Sequence, residues 1–166
     1  ALLTHNILDP AQFAFLPGRD IHEPISSILA CYEHRKTTQS ACYAIFYDIS
    51  KAYDTIRWSS IRQSLYRLRF PPDFINFIQQ SLTGSHLAMR TNKPNHITPK
   101  IPIHNSIKQG CPLAPLLFII IMDELHCDYR TAGHYPLTGS TRVSSRGYCD
   151  DTAIIADNLD SLRRMN

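Results

Sequence analysis

The chain lacks any long apolar run. Its most hydrophobic stretch, Pro112 to Met122, is interrupted by Pro115 and falls far short of the roughly 20 residues that a helix needs to cross a bilayer. No membrane partner is expected. Charge is also scarce: Asp, Glu, Lys and Arg make up 19% of the residues and the net charge is +3, a balance that permits a nucleic-acid partner without arguing for one. Metal-binding and redox signatures are missing too. The five cysteines form no C-x-x-C pair, and none of the eight histidines stands in an H-E-x-x-H or C-x-x-C-H setting. That argues against a zinc knuckle and a disulfide framework, and for an intracellular, reducing compartment, with nothing to separate nucleus from cytoplasm. No secretory leader is visible at Ala1, and there is no internal repeat or low-complexity tract. What is present is ordinary for a globular domain: 166 residues, 43% of them hydrophobic, enough to bury a sizeable core.

Periodicity supplies the elements. Residues 1–20 read as loop and turn, punctuated by Asp9-Pro10 and Pro17-Gly18. Residues 21–37 carry Ile21, Ile25, Ile28, Leu29 and Tyr32 at helical spacing, which predicts an amphipathic helix. The continuous apolar and aromatic run from Ala41 to Ile49 suits a strand buried on both faces. Ile61, Leu65 and Leu68 mark a helix over 58–68, with Ser60 and Gln63 spaced as a capping box. Pro71-Pro72 separates it from a second helix, from Asp73 to about Leu82, that carries Phe74, Phe77 and Ile78 and stops at Gly84. Residues 86–108 look like a hairpin with proline-limited edges. A long buried helix is expected over 113–130, with Pro112 and Pro115 tolerated in its first turn. Residues 147–156 then read strand, tight acidic turn, strand. This order argues α+β.

Three acidic positions stand out. Asp48 opens Asp48-Ile49-Ser50-Lys51-Ala52-Tyr53-Asp54, and Asp150 and Asp151 close Tyr148-Cys149-Asp150-Asp151. Each motif ends an apolar or aromatic run, where a strand would deliver a carboxylate to its tip. Between them lies Gln109-Gly110-Cys111-Pro112-Leu113-Ala114-Pro115-Leu116-Leu117-Phe118. An Asp-Asp turn alone says little, because Asp forms turns in its own right. Taken together and in order, the three motifs resemble those of the palm of reverse transcriptases. The LINE-type (non-LTR) retrotransposon branch is the nearest match, with strings such as D-x-x-K-A-F/Y-D, Q-G-C-P-L-S-P-L-L-F and Y/F-x-D-D. Gln12-Phe13-Ala14-Phe15-Leu16-Pro17-Gly18-Arg19 is similar to the Q-x-G-F-x-x-G-R string of the same enzymes, with Ala14 in place of the usual glycine.

The resemblance implies an RNA-directed DNA polymerase that attaches nucleotides from dNTPs to a DNA primer on an RNA template. It implies a palm-like antiparallel sheet with helices packed on one face, and part of the fingers. In such a reaction a 3′-hydroxyl attacks the α-phosphorus and pyrophosphate leaves, so charge builds at both ends of the reaction axis. Two divalent cations about 4 Å apart suit that charge distribution. Magnesium takes hard oxygen ligands and keeps waters and substrate phosphates, so two or three carboxylates suffice; Mn²⁺ is the alternative ion. By resemblance Asp48, Asp150 and Asp151 are the catalytic, metal-binding residues, and the backbone carbonyl of Ile49 supplies a further oxygen. Tyr53 falls at the aromatic gate under the sugar of the incoming nucleotide. Gln109 and Gly110 fall where the family contacts that nucleotide and lets the template–primer pair approach, which asks for a small residue. Lys51 and Asp54 are explained equally well by an ion pair or a cap, Arg19 equally well by a surface turn or a nucleotide contact. Cys111 and Trp58 read as core.

Two other classes of function are compatible with the same residues. One is a degenerate remnant that binds RNA without polymerising. The other is a group II intron maturase-like or retron enzyme, or a viral RNA polymerase, though K-A-Y-D and Q-G-C-P-L-A-P-L-L-F lean away from these. A start without Met, already inside recognisable pattern, suggests a fragment of late fingers and palm, with early fingers and thumb outside it. The isolated chain is therefore expected to polymerise poorly. Oligomeric state is not legible.

Overall fold

The structure, a computed structural model, describes residues 7–92, 96–132, 136–138 and 141–165. In chain order the elements are α1 (His22–Thr37), β1 (Tyr43–Tyr47), α2 (Ala52–Thr55), α3 (Trp58–Arg67), α4 (Pro72–Leu82), β2 (His86–Leu87), β3 (Ile101–Pro102), α5 (Ala114–Ala132), β4 (Leu137–Thr138), β5 (Thr141–Arg142), β6 (Ser145–Tyr148), β7 (Asp151–Ala156) and α6 (Leu159–Met165). They divide into two compact units, one made of the residues up to Ser50 and from Pro115 onward, the other of Lys51–Ala114.

The first unit is built on an antiparallel sheet in the order β1-β7-β6. Side chains alternate across a strand, so the two faces of β7 separate cleanly. Ile154 and Ala156 pack with Tyr129 of α5 and with Leu162 and Met165 of α6, and Ile45 and Tyr47 of β1 close that cluster. Ile155 points the other way, into Cys31 of α1 and Val143. Helices α5 and α6 thus cover one face, α5 as the sequence leads one to expect and α6 as an element it did not announce. Helix α1, expected on that same side, instead covers part of the opposite face. It docks through Pro24, Ile28 and Cys31, a stripe at i, i+4 and i+7, and leaves Ile25, Leu29 and Tyr32 exposed. The apolar stripe expected from periodicity is therefore one position out of phase with the docking face. Asp20 and Glu23 start α1 with reciprocal bonds: the Asp20 carboxylate accepts from the N–H of His22 and Glu23, and the Asp20 N–H donates to the Glu23 carboxylate.

Strand β1 is also a correction. It is not buried on both faces: among the described residues only β7 pairs with it, and Phe46 is 72% exposed. A run of apolar residues reports tolerance of burial, not the number of neighbours, and here the sheet ends.

In the second unit α3 packs against α4 through Ile61, Leu65, Ile75 and Ile78, all fully buried. At about 1.5–3 kcal/mol for each fully buried aliphatic side chain, these four dominate the stability of the pair. Pro72 begins α4 at its first turn, where the missing N–H costs nothing, and Gly84 follows its end at φ +75°. The capping box expected from Ser60 and Gln63 does not form: α3 begins at Trp58, ahead of it, without a side-chain cap. The hairpin expected over 86–108 is present among the described residues as the antiparallel β2–β3 pair, the Arg90–Ile97 bridge and the backbone bonds from Thr98 to Met89 and from Ile103 to Ser85; residues 93–95 lie outside the described residues.

Candidate functional site

The register of the sheet brings the acidic residues to one end. Strand β1 pairs Tyr47 with Thr152 of β7, so Asp48, the residue that follows β1, stands at the same end of the sheet as Asp151. Across β6–β7 Tyr148 faces Asp151, leaving Cys149 and Asp150 as a two-residue loop. Cys149 has φ +61°, the positive value that the tight hairpin turns require at their first loop position. Asp48 and Asp151 are exposed and Asp150 is half-buried.

The face that carries Asp151 also carries Phe46, Arg146, Tyr148 and Ala153, and with the start of α1 they line a groove of about 260 Å³. The three carboxylates at this end of the sheet are hard oxygen donors, which suit magnesium or manganese. The backbone supplies register but not a closed set of ligands: among the described residues no three His, Cys, Asp or Glu side chains are gathered tightly enough to hold an ion. The chemistry of the three carboxylates fits a divalent cation.

Two features of this unit were not disclosed by the sequence, and the first holds the turn. Gln12, fully buried, bonds to both polar groups of Cys149: its Oε1 accepts from the Cys149 N–H at 3.2 Å and its Nε2 donates to the Cys149 carbonyl at 3.4 Å. The second is a buried polar network. The Asp9 N–H donates to the Asp123 carboxylate, and the Asp9 carboxylate accepts from the Ala11 N–H at 2.9 Å and pairs with Arg130 at 3.3 Å. His126 Nδ1 lies 2.9 Å from Ser145 Oγ, while its buried Nε2 has no hydrogen-bond partner. Burial pushes the His126 imidazole below its ordinary value of 6.5, against the smaller upward pull of Asp9 and Asp123. The one sequence signal for either feature is Gln12 at the head of the Q-x-A-F string.

The second unit gathers the other expected residues. Tyr53, half-buried on α2, accepts at its carbonyl from the Ile107 N–H at 2.9 Å, and Ile56 does the same for Ser106 at 2.8 Å. Trp58 Nε1 donates to the Ser106 carbonyl at 2.8 Å, so Trp58 is a half-buried clasp, not plain core. These bonds lace residues 53–58 to 105–107 and bring the Gln109-Gly110 turn close behind. The turn closes by a 3.1 Å bond from the Cys111 N–H to the Lys108 carbonyl. Gly110, at φ +86°, occupies the third position of a type II turn, which needs a positive φ. A Cβ there would meet nothing within 4 Å, so within the chain the glycine serves conformation, not close packing. Lys51 precedes α2 in the left-handed region, at φ +53°, and its carbonyl accepts from Asp54 and Thr55. Cys111 is half-buried. Arg19 donates to the Pro10 carbonyl and stacks 4.6 Å over the Phe13 ring.

Comparison with known proteins agrees with this geometry. Residues 1–165 match the model of the family described as reverse transcriptase (RNA-dependent DNA polymerase). The chain is 34% identical over 155 residues to a retrovirus-related Pol polyprotein from a type-1 retrotransposable element R2 of Popillia japonica, which covers 91% of this chain and 21% of that protein. It is 28% identical over 157 residues to the corresponding polyprotein of element R2DM of Drosophila melanogaster, 93% of this chain and 14% of that protein. The chain thus spans 21% and 14% of the length of these two relatives. Its fold is similar to that of apo telomerase from Candida tropicalis, with a TM-score of 0.66 at 12% identity over 98% of this chain and 30% of that one.

Proposed function

Given that the chain belongs to the reverse transcriptase family, in its non-LTR, LINE-type branch, we propose that it forms the palm of an RNA-directed DNA polymerase that extends a DNA 3′-end on an RNA template. The observation that carries this reading is the register that ends β1 at Tyr47 opposite Thr152, so that Asp48 follows at the end of the sheet where the β6–β7 loop holds Asp150. Carboxylates gathered at one end of a sheet would repel one another unless cations offset them, which supports a role as metal ligands. Asp48 and Asp150 would hold Mg²⁺ (or Mn²⁺), with Asp151 and the Ile49 carbonyl adjacent. Bound there, divalent ions would lower the pKa of the attacking hydroxyl and offset charge on the leaving oxygen. The exposed ring of Phe46 and the half-buried Tyr148 give the same sheet face a surface on which a primer end can rest. Tyr53 acts as the gate against the 2′-hydroxyl, and the Gln109-Gly110 turn offers backbone to the incoming dNTP.

Primer extension tests this in a longer polypeptide that carries the chain together with flanking fingers and thumb. With an RNA template, a DNA primer, dNTPs and Mg²⁺, the wild type extends the primer. Asp150→Asn is expected to slow extension by at least about a hundredfold, because several kcal/mol of charge stabilisation is lost. Wild-type rates in Asp150→Asn would end the catalytic assignment. An inert wild type that still binds RNA would leave the remnant reading in its place.

A further inference from the structure

We infer that Gln12 is a positioning residue for the acidic turn: its side-chain amide grips the backbone of Cys149 and so sets the direction of Asp150. This rests on the reading of Asp150 as a metal ligand.

The contacts are specific to an amide. Gln12 Oε1 accepts from three backbone N–H groups, those of Phe13 and Ala14 at 3.0 Å each and that of Cys149 at 3.2 Å. Nε2 donates in the opposite sense, to the carbonyl of the same Cys149. That carbonyl belongs to the peptide group joining Cys149 to Asp150, so the bond orients the plane from which the Asp150 side chain departs. Cys149 is also the residue held at positive φ, a conformation that costs a non-glycine residue on the order of 1 kcal/mol and needs outside support. The loop that presents Gln12 is itself tied to β6: the Gly147 N–H donates to the Ala11 carbonyl at 2.8 Å and the Phe13 N–H to the Gly147 carbonyl at 2.9 Å. Gln12 is thus anchored on both sides and fully buried.

A carboxylate in its place keeps the acceptor and loses the donor. A thioether keeps the shape and loses both. The turn then has the same residues and hairpin but no fixed peptide plane at Cys149, and the ligand set must be assembled at the expense of ion binding. The experiment uses the longer polypeptide and measures Mn²⁺ binding directly, from the spectrum of the free ion, alongside the Mg²⁺ dependence of primer extension. Gln12→Met and Gln12→Glu are each expected to raise the Mn²⁺ dissociation constant and the Mg²⁺ midpoint at least about fivefold; misplacement by about 1 Å costs as much as a hundredfold in comparable sites. The KM for dNTP stays within about twofold, since positioning of the ligand set, not uniform binding, is lost.

A merely structural role would lower the folded fraction, and with it the amplitude, without moving either midpoint. Unchanged midpoints in the folded fraction of Gln12→Glu, the variant that retains three of the four bonds, would overturn the inference even if Gln12→Met failed to fold. Asp150→Asn separates the two levels of the argument. If it loses Mn²⁺ while the Gln12 variants bind as wild type, only the inference falls; if it binds as wild type, the site reading falls with it.

Discussion

The imidazole of His126 occupies the space that a β-carbon on Gly147 would need. A Cβ built there collides with the ring and also comes within 3.5 Å of Gln12 Nε2. Gly147 is therefore glycine for lack of room, in the middle of a strand where glycine is otherwise unfavourable. Gly147→Ala is expected to destabilise the fold by about 1–3 kcal/mol, the usual range for overpacking, seen as a lowered denaturation midpoint. Pairing it with His126→Ala should return part of that loss. Strictly additive losses in the double-mutant cycle would contradict the steric account.

The same histidine predicts a pH dependence. Its burial disfavours the imidazolium, so its pKa in the folded chain lies below the unfolded value. As pH falls the unfolded chain takes up the proton first, and stability drops. This contribution is complete above about pH 6.5, the ordinary histidine pKa, and is lost as pH falls from there toward the lower folded value. Thermal denaturation of wild type and His126→Asn from pH 8 to 5 checks it: the wild type should lose more stability on acidification than the variant. Parallel curves would show that His126 titrates alike in both states.

At Gly110 the prediction separates conformation from crowding. Gly110→Ala should cost about 1 kcal/mol or more, because alanine avoids φ +86°. Gly110→Asn should cost less, since asparagine tolerates the left-handed region. Equal losses in chemical denaturation would mean that space, not φ, decides the position.

Tyr53→Ala is expected to spare extension with dNTPs and to admit rNTPs, because truncating the ring opens space under the sugar. The ratio of kcat/KM for the two nucleotide types reads this directly. A ratio unchanged from wild type would remove Tyr53 from the gate.

Much of this was legible in the sequence. Ile61 and Leu65, Ile78 and the run after Pro115 gave helices α3, α4 and α5, because burial on one side leaves a 3.6-residue signature. The acidic hairpin was legible from Gly147 to Ala156, where a turn former interrupts two β-forming runs. The docking face of α1 was not, because Ile25 and Leu29 are as apolar as the Pro24, Ile28 and Cys31 that make contact. Nor was the edge position of β1, since pairing depends on which strands arrive from elsewhere. Gln12 escaped for the plainest reason: its partner is 137 residues away, and a polar residue in a loop has no periodicity to betray it.

The two-residue loop between β6 and β7 makes chain length at this point a stricter constraint than residue identity. Side chains alternate along β7, so if one residue were added or removed between Tyr148 and Thr152 and the pairing slipped by one step, the two faces of the strand would exchange. Ile154 and Ala156 would leave the cluster on α5 and α6, and Asp151 would turn from the open groove into the space of Thr152. The interior and the acidic end are thus spelled in a single reading frame of side chains. Point substitutions here can drift one at a time, whereas a one-residue insertion or deletion would disturb both together.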